Sequence, residues 1–97
     1  MKFIIAFLLY SLVSLPAMAQ IEVIISGGFS GPYQELLPTF EKSTGIKVTT
    51  KSGASQGAGP KTIKAQLAAG TTADIVILSR EGLAELIEQN RIQPGSD

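Results

Sequence analysis

Three short runs of β-branched and other apolar residues recur along this chain, each followed by a stretch with helical spacing. That alternation constrains the fold more than any other feature. The runs are residues 21–26 (IEVIIS), 46–51 (IKVTTK) and 74–78 (DIVIL). Strands separated by helices do not pair as hairpins. They lie parallel and are joined by right-handed crossovers. The expected fold class is therefore α/β, with three parallel strands alternating with helices. In such sheets ligands bind beyond the carboxyl ends of the strands, near a switch in strand order.

The first run is continuously apolar, which predicts burial on both faces, and Gly27-Gly28 ends it. A helix is expected over residues 32–44 (PYQELLPTFEKST), with Tyr33, Leu36, Leu37 and Phe40 on one face. Pro32 suits its first turn, with Ser30 or Gly31 as the cap, and Gly45 suits its C-terminal end. Pro38 removes a helical hydrogen bond, which predicts a kink or two short helices meeting at Leu37-Pro38. The second run carries lysines and reads as an edge strand. A loop of small residues over 52–59 (SGASQGAG) leads to a helix opened by Pro60 and closed by Gly70, with Ile63 and Leu67 on its apolar face. The third run is the most apolar. Ser79 is a plausible cap for a last helix that presents Leu83, Leu86 and Ile87 and ends near Asn90.

The N-terminus has a different character. Met1-Lys2 is a short positive start, residues 3–13 are nearly all apolar, and Ala17 and Ala19 place small residues where a cleavage site needs them. This order predicts a cleaved secretory signal peptide over residues 1–19 and a processed chain that begins near Gln20. A spanning helix needs about 20 apolar residues, more than this run supplies. With no cysteine in the sequence, no lipid can be attached to one.

Composition narrows the function classes. The chain carries eight basic and eight acidic residues, and loss of Lys2 leaves seven against eight. A balance so near neutral gives no electrostatic footprint for nucleic acid or an anionic membrane. Zero histidine and zero cysteine remove the usual zinc, copper and haem ligands, and with them Ser-His-Asp and Cys-His catalysis within these residues. No cofactor is expected.

Candidate ligand groups sit where the strands end. Gly28, Phe29 and Ser30 belong to a glycine-rich turn after the first strand, in front of a helix N-terminus that offers unpaired N–H groups. The glycine spacing matches neither a dinucleotide fingerprint nor a phosphate-binding loop. Ser55, Gln56 and Gly57 lie in the loop before the second helix, which is longer than a plain turn requires. Arg80, after the third strand, has the geometry to grip a carboxylate or oxyanion with two N–H groups. Glu81, Glu85 and Glu88 follow at helical spacing and read as a solvated face.

Two of these segments carry a family likeness. Phe40-Glu41-Lys42-Ser43-Thr44-Gly45 leads into the second strand, and Ala69-Gly70-Thr71-Thr72-Ala73-Asp74 leads into the third. In their order and spacing, over essentially all of residues 20–95, they resemble the periplasmic substrate-binding proteins of ABC transporters, specifically the molybdate-binding-protein-like group. The resemblance implies a two-lobe α/β fold with the ligand in the cleft. Residues 20–97 would then form the N-terminal part of the first lobe, without the second. It implies a monomer when full-length, in the periplasm, that captures a small oxyanion or carboxylate and presents it to a membrane permease. It implies a binding protein and not an enzyme; the alternative on the same scaffold is an exported isomerase of a small carboxylic acid. The group's first-turn serine falls at Gly28, with Ser30 and Ser26 the nearest hydroxyls, and its loop serine falls at Ser55 in a loop several residues longer.

Overall fold

The computed structural model describes residues 19–97; the expected signal peptide lies outside the described residues, apart from Ala19. Six elements follow in strictly alternating order: β1 (Gln20–Ile25), α1 (Gly27–Thr44), β2 (Lys47–Ser52), α2 (Ile63–Ala68), β3 (Ile75–Ile77) and α3 (Arg80–Glu88). The strands form one parallel sheet in the order β2-β1-β3. The architecture is thus the open α/β sheet that the alternation predicts. β1 lies in the middle, where its continuous apolar run places Val23, Ile24 and Ile25 out of solvent. β2, with its lysines, lies at an edge.

Alternation of side chains along β1 divides the sheet into two faces. Ile24 pairs with Val76 of β3 and points to the face covered by α2 and α3. There Ile24, Ile63 and Leu86 are fully buried against one another, with Leu67, Val76 and Leu78 packed around them. Val23 and Ile25 pair with Ile75 and Ile77 and point to the opposite face. α1 covers that face loosely. None of its eighteen residues is buried, and Leu36 remains 69% exposed. A cavity of about 250 Å³ lies between Tyr33, Leu37 and Phe40 of α1 and Val23, Val48 and Ile77 of the sheet.

Three element boundaries differ from expectation. α1 begins at Gly27, ahead of Pro32, so Pro32 and Pro38 both lie inside it. The extended backbone of Ser26 turns directly into the helix, and neither Ser30 nor Gly31 is its cap. Nor is the helix divided at Leu37-Pro38. It is tied to β2 on both sides of that proline. The Tyr33 hydroxyl shares a 2.7 Å hydrogen bond with the Thr50 hydroxyl, and the Glu41 carboxylate accepts the Val48 N–H at 3.0 Å. α2 begins at Ile63, beyond Pro60, because Thr62 takes the capping role: its hydroxyl oxygen accepts the Ala65 N–H at 3.1 Å. Among the described residues no helix is long and apolar enough to cross a membrane.

The two family-like segments have structural duties. Gly45 ends α1 with a φ of 72°, and its N–H reaches the Glu41 carbonyl at 2.9 Å. The Glu41 side chain satisfies an N–H on the outer edge of β2. Asp74 bonds β1 twice: its N–H donates to the Glu22 carbonyl and its carboxylate accepts the Glu22 N–H, both at 2.8 Å. The first segment thus ends α1 and ties it to β2, and the second holds the start of β3 to β1.

Candidate functional site

The carboxyl ends of all three strands meet at one edge of the sheet. Main-chain bonds knit them together there: Ser26 N–H donates to the Ile77 carbonyl at 2.9 Å, and Gly53 N–H donates to the Ile25 carbonyl at 3.1 Å. With the order β2-β1-β3, the connections after β1 and β3 leave toward different sides, so the switch in strand order falls between these two strands. Ser26 stands at that point. It is only 5% exposed, and its hydroxyl makes no cap bond to α1. Behind it, a side chain at Gly27 or Gly28 would meet nothing within 4 Å. Phe29 N–H donates to the Ser26 carbonyl at 3.3 Å, and the N–H groups of Gly27 and Gly28 remain as first-turn donors of an eighteen-residue helix, at the positive end of its dipole.

The structure moves part of the predicted turn into the helix. Gly28, Phe29 and Ser30 are helical residues of α1 and not members of a loop ahead of it. Gly28 is in the first turn and exposed, which keeps its N–H among the unpaired donors. Phe29 is 49% exposed and turns toward the open side of β3. There it lines a cavity of about 810 Å³ together with Leu78, Leu83 and Ile92. The Ser30 hydroxyl accepts a bond from the Gln34 side chain at 3.0 Å, one turn along the helix.

The loop between β2 and α2 is closed at its base. Ala54 N–H donates to the Lys61 carbonyl at 3.2 Å, and Ile63 N–H donates to the Ala54 carbonyl at 2.9 Å. The Gln66 side-chain amide spans the same base, donating to the carbonyls of Ser52 and Lys61 at 2.9 and 3.1 Å. Thr62, almost wholly buried, donates its hydroxyl to the Gly59 carbonyl at 3.0 Å. Within the loop the Ser55 hydroxyl accepts the Ser79 N–H at 3.0 Å, leaving its own proton available to a ligand. Gln56 is exposed, and Gly57 has a φ of 117°, a conformation that favours glycine.

Arg80, the first residue of α3, is exposed at the same edge. Two N–H groups at the start of α3 are used within the chain: Ser79 N–H donates to the Ser55 hydroxyl and Gly82 N–H to the Ser79 hydroxyl, 3.2 Å away. The structure therefore brings Gly28, Ser55, Gln56, Gly57 and Arg80 to one edge. It directs Phe29 toward the β3 side and engages Ser30 within its own helix. Neither cavity coincides with the loop cluster. Among the described residues no cluster of acidic groups suits a metal ion.

Sequence reasoning passed over Thr62 and Gly82. Thr62 carried a readable signal, a capping residue directly before the apolar Ile63. Gly82, a glycine inside a helical pattern, signals a packing reason for its presence.

Parallel strands with N–H and hydroxyl donors gathered at their carboxyl ends describe a scaffold suited to holding a small solute. Residues 21–97 match the family described as bacterial extracellular solute-binding proteins. The chain belongs to that family. Its members are small-ligand binders that act outside the cytoplasm, in keeping with the export expected from the N-terminus. An aconitate isomerase from a Pseudomonas species is 32% identical to the chain over 74 residues, 76% of the chain. The chain spans 28% of the length of that relative. This likeness corrects one expectation: resemblance to binding proteins had implied that the chain is not part of an enzyme, and the scaffold is shared with a relative named for catalysis.

Proposed function

We propose that residues 20–97 form the N-terminal part of the first lobe of an extracytoplasmic solute-binding scaffold, and that its donor edge holds a small polycarboxylate which the protein isomerises. The observation that carries this reading is the convergence of neutral donors at one strand edge. They are the first-turn N–H groups of Gly27 and Gly28 in α1 with the hydroxyl of the nearly buried Ser26 beside them, and the loop bearing Ser55, Gln56 and Gly57. Neutral N–H and hydroxyl donors stabilise carboxylate oxygens without a compensating net charge on the lobe. The near-neutral chain is consistent with that arrangement. Arg80 adds a fork able to grip a second carboxylate. The likeness to an aconitate isomerase supports the choice of a carboxylate and of isomerisation.

These donors bind, orient and polarise. By hydrogen-bonding the carboxylates of an unsaturated acid, they would favour the form with extra charge on the carboxylate oxygens, which develops when a neighbouring carbon loses a proton. None of the donors accepts a proton at neutral pH, so this edge supplies electrostatic stabilisation and another part of the protein supplies the base.

A second reading rests on the family match: capture of an oxyanion or carboxylate in the periplasm for delivery to an ABC permease. One experiment separates the readings. The full-length protein is titrated calorimetrically with trans-aconitate, cis-aconitate, citrate, molybdate, tungstate and sulfate, and conversion of trans-aconitate is followed by proton NMR. Binding of a tricarboxylate with turnover supports the proposal. Tricarboxylate binding without turnover favours delivery of a carboxylate, and molybdate or tungstate binding alone favours the oxyanion form of the second reading. No binding by any of the six would overturn both.

A further inference from the structure

We propose that Gly82 of α3 is a positioning residue for the ligand loop: α3 acts as a clamp that holds Ser55, Gln56 and Gly57 in place. The inference rests on the reading that this loop faces the ligand, but its structural part can be tested apart from it. Gly82 is buried. A Cβ there would lie 2.3 Å from the Ser55 carbonyl oxygen, 3.1 Å from the Ser55 carbonyl carbon and 3.0 Å from the Leu78 side chain. The first two are main-chain atoms, so no rotamer change relieves the clash. Ordinary carbon–oxygen contacts begin near 3.3 Å, so the loop would have to retreat by roughly 1 Å.

The same loop residue is held a second time. The Ser55 hydroxyl accepts the Ser79 N–H at 3.0 Å, and the Ser79 hydroxyl accepts the Gly82 N–H at 3.2 Å. Ser55 is therefore fixed by its hydroxyl to the N-cap of α3 and by its carbonyl against the third residue of that helix. The helix is in turn anchored by Leu86, fully buried against Ile24 and Ile63. A rigid line of contact runs from the core through α3 to the loop. The base of the loop, pinned at Ala54, Lys61 and Ile63, sets its other end. A loop held at both ends presents its donors with little ordering left to do when ligand arrives.

The geometry also explains a glycine within a nine-residue helix, where alanine would favour helix formation. At this position the loss of propensity is offset by the close approach of another main chain. It also gives the segment after β3 a role distinct from the one read in sequence. Ser79 and Gly82 place the neighbouring loop, while Arg80 and Glu81 between them are exposed to solvent.

The test uses the full-length protein with trans-aconitate as probe. Gly82→Ala is expected to shift the NMR amide resonances of Ser55, Gln56 and Gly57, to leave those of residues 20–25 in place, and to weaken trans-aconitate binding by about tenfold. Ser55→Ala is expected to shift the Ser79 resonance and weaken binding, while Ser55→Thr, which keeps the hydroxyl, restores both. That pair decides the matter if Gly82→Ala does not fold. A Gly82→Ala protein with a lower melting temperature but unmoved loop resonances and unchanged affinity would overturn the clamp. So would Ser55→Ala with an unmoved Ser79 resonance. Displaced loop resonances in a protein that binds no tricarboxylate in either form would uphold the clamp and remove only the carboxylate reading.

Discussion

On one face of the sheet Ile24, Ile63 and Leu86 exclude solvent from one another completely; on the other, the eighteen-residue α1 buries none of its own side chains. The longest helix thus contributes least to the core, and the short α2 and α3 contribute most. The difference follows from how each is held. α2 and α3 insert one large aliphatic side chain each against Ile24. α1 is held by polar ties from Tyr33 and Glu41 to β2, which keep its apolar stripe across a cavity of about 250 Å³ from the sheet. The packed face is also the one that positions the Ser55 loop, and the loose face is the one that presents the open N-terminus of α1.

The largest expected effect tests this division directly. Leu86→Ala or Ile24→Ala should destabilise the full-length protein by about 2–5 kcal/mol, because each removes fully buried volume from the core. Leu36→Ala, on the loose face and 69% exposed, should change stability by less than about 0.5 kcal/mol. Urea unfolding of the three variants measures both. A Leu36 effect as large as that of Leu86 would show that the division is false.

A proline substitution sharpens the account of α1. Pro38 cannot donate to the Gln34 carbonyl one turn earlier, and the ties to β2 support the helix on both sides of that missing bond. Pro38→Ala should restore that bond and raise stability by about 1–2 kcal/mol, after allowance for the more flexible unfolded chain. An unchanged or lower unfolding midpoint would mean that the helix is already fully accommodated to its prolines.

These positions show what the sequence could and could not disclose. All three strands were legible to within a residue or two, because β-branched runs bounded by glycine and loop residues leave few other readings. The start of α1 was not legible. Gly27 and Gly28 are poor helix formers, and Pro32 is a good first-turn residue, so local preference places the boundary too late. The helix nonetheless starts directly after β1, with Ser26 at its N-cap position. Of the candidate edge, the Ser55 segment was legible as a loop after a strand, while Gly28, Phe29 and Ser30, read as a turn, are the first turn of α1. The engagement of Ser30 by Gln34 and the docking of Ser55 on Ser79 depend on contacts that no local pattern records.

Two of the three helix caps, Thr62 and Ser26, give a smaller contrast. Thr62 uses its hydroxyl twice, accepting from Ala65 and donating to Gly59, and it is almost wholly buried. Thr62→Ala should cost about 1 kcal/mol, and up to about 2 because the cap is buried. Ser26 holds the equivalent position on α1 but makes no cap bond. Ser26→Ala should therefore shift stability by less than about 0.5 kcal/mol, while weakening trans-aconitate binding measured by calorimetry. A Ser26 variant that loses stability but keeps its affinity would assign that hydroxyl to the fold and not to the ligand.

The smallest effect concerns the one ion pair that joins two helices of the packed face among the described residues. Lys64 of α2 and Glu85 of α3 approach to 3.1 Å, with side chains 35% and 39% exposed. Their position invites the view that charge holds α2 against α3. The exposure argues otherwise, since solvent screens the pair and ordering two long side chains opposes it. A double-mutant cycle with Lys64→Met and Glu85→Gln should give a coupling of about 0.5 kcal/mol or less at low salt. It should shrink further at 1 M salt, where the screening length falls to about 3 Å. The buried contact of Ile63 with Leu86, carried by the same two helices, is untouched by salt. If the coupling instead exceeded about 1 kcal/mol and persisted at high salt, the cohesion of the packed face would be partly electrostatic, and the contrast with α1, itself held by polar ties, would be one of degree.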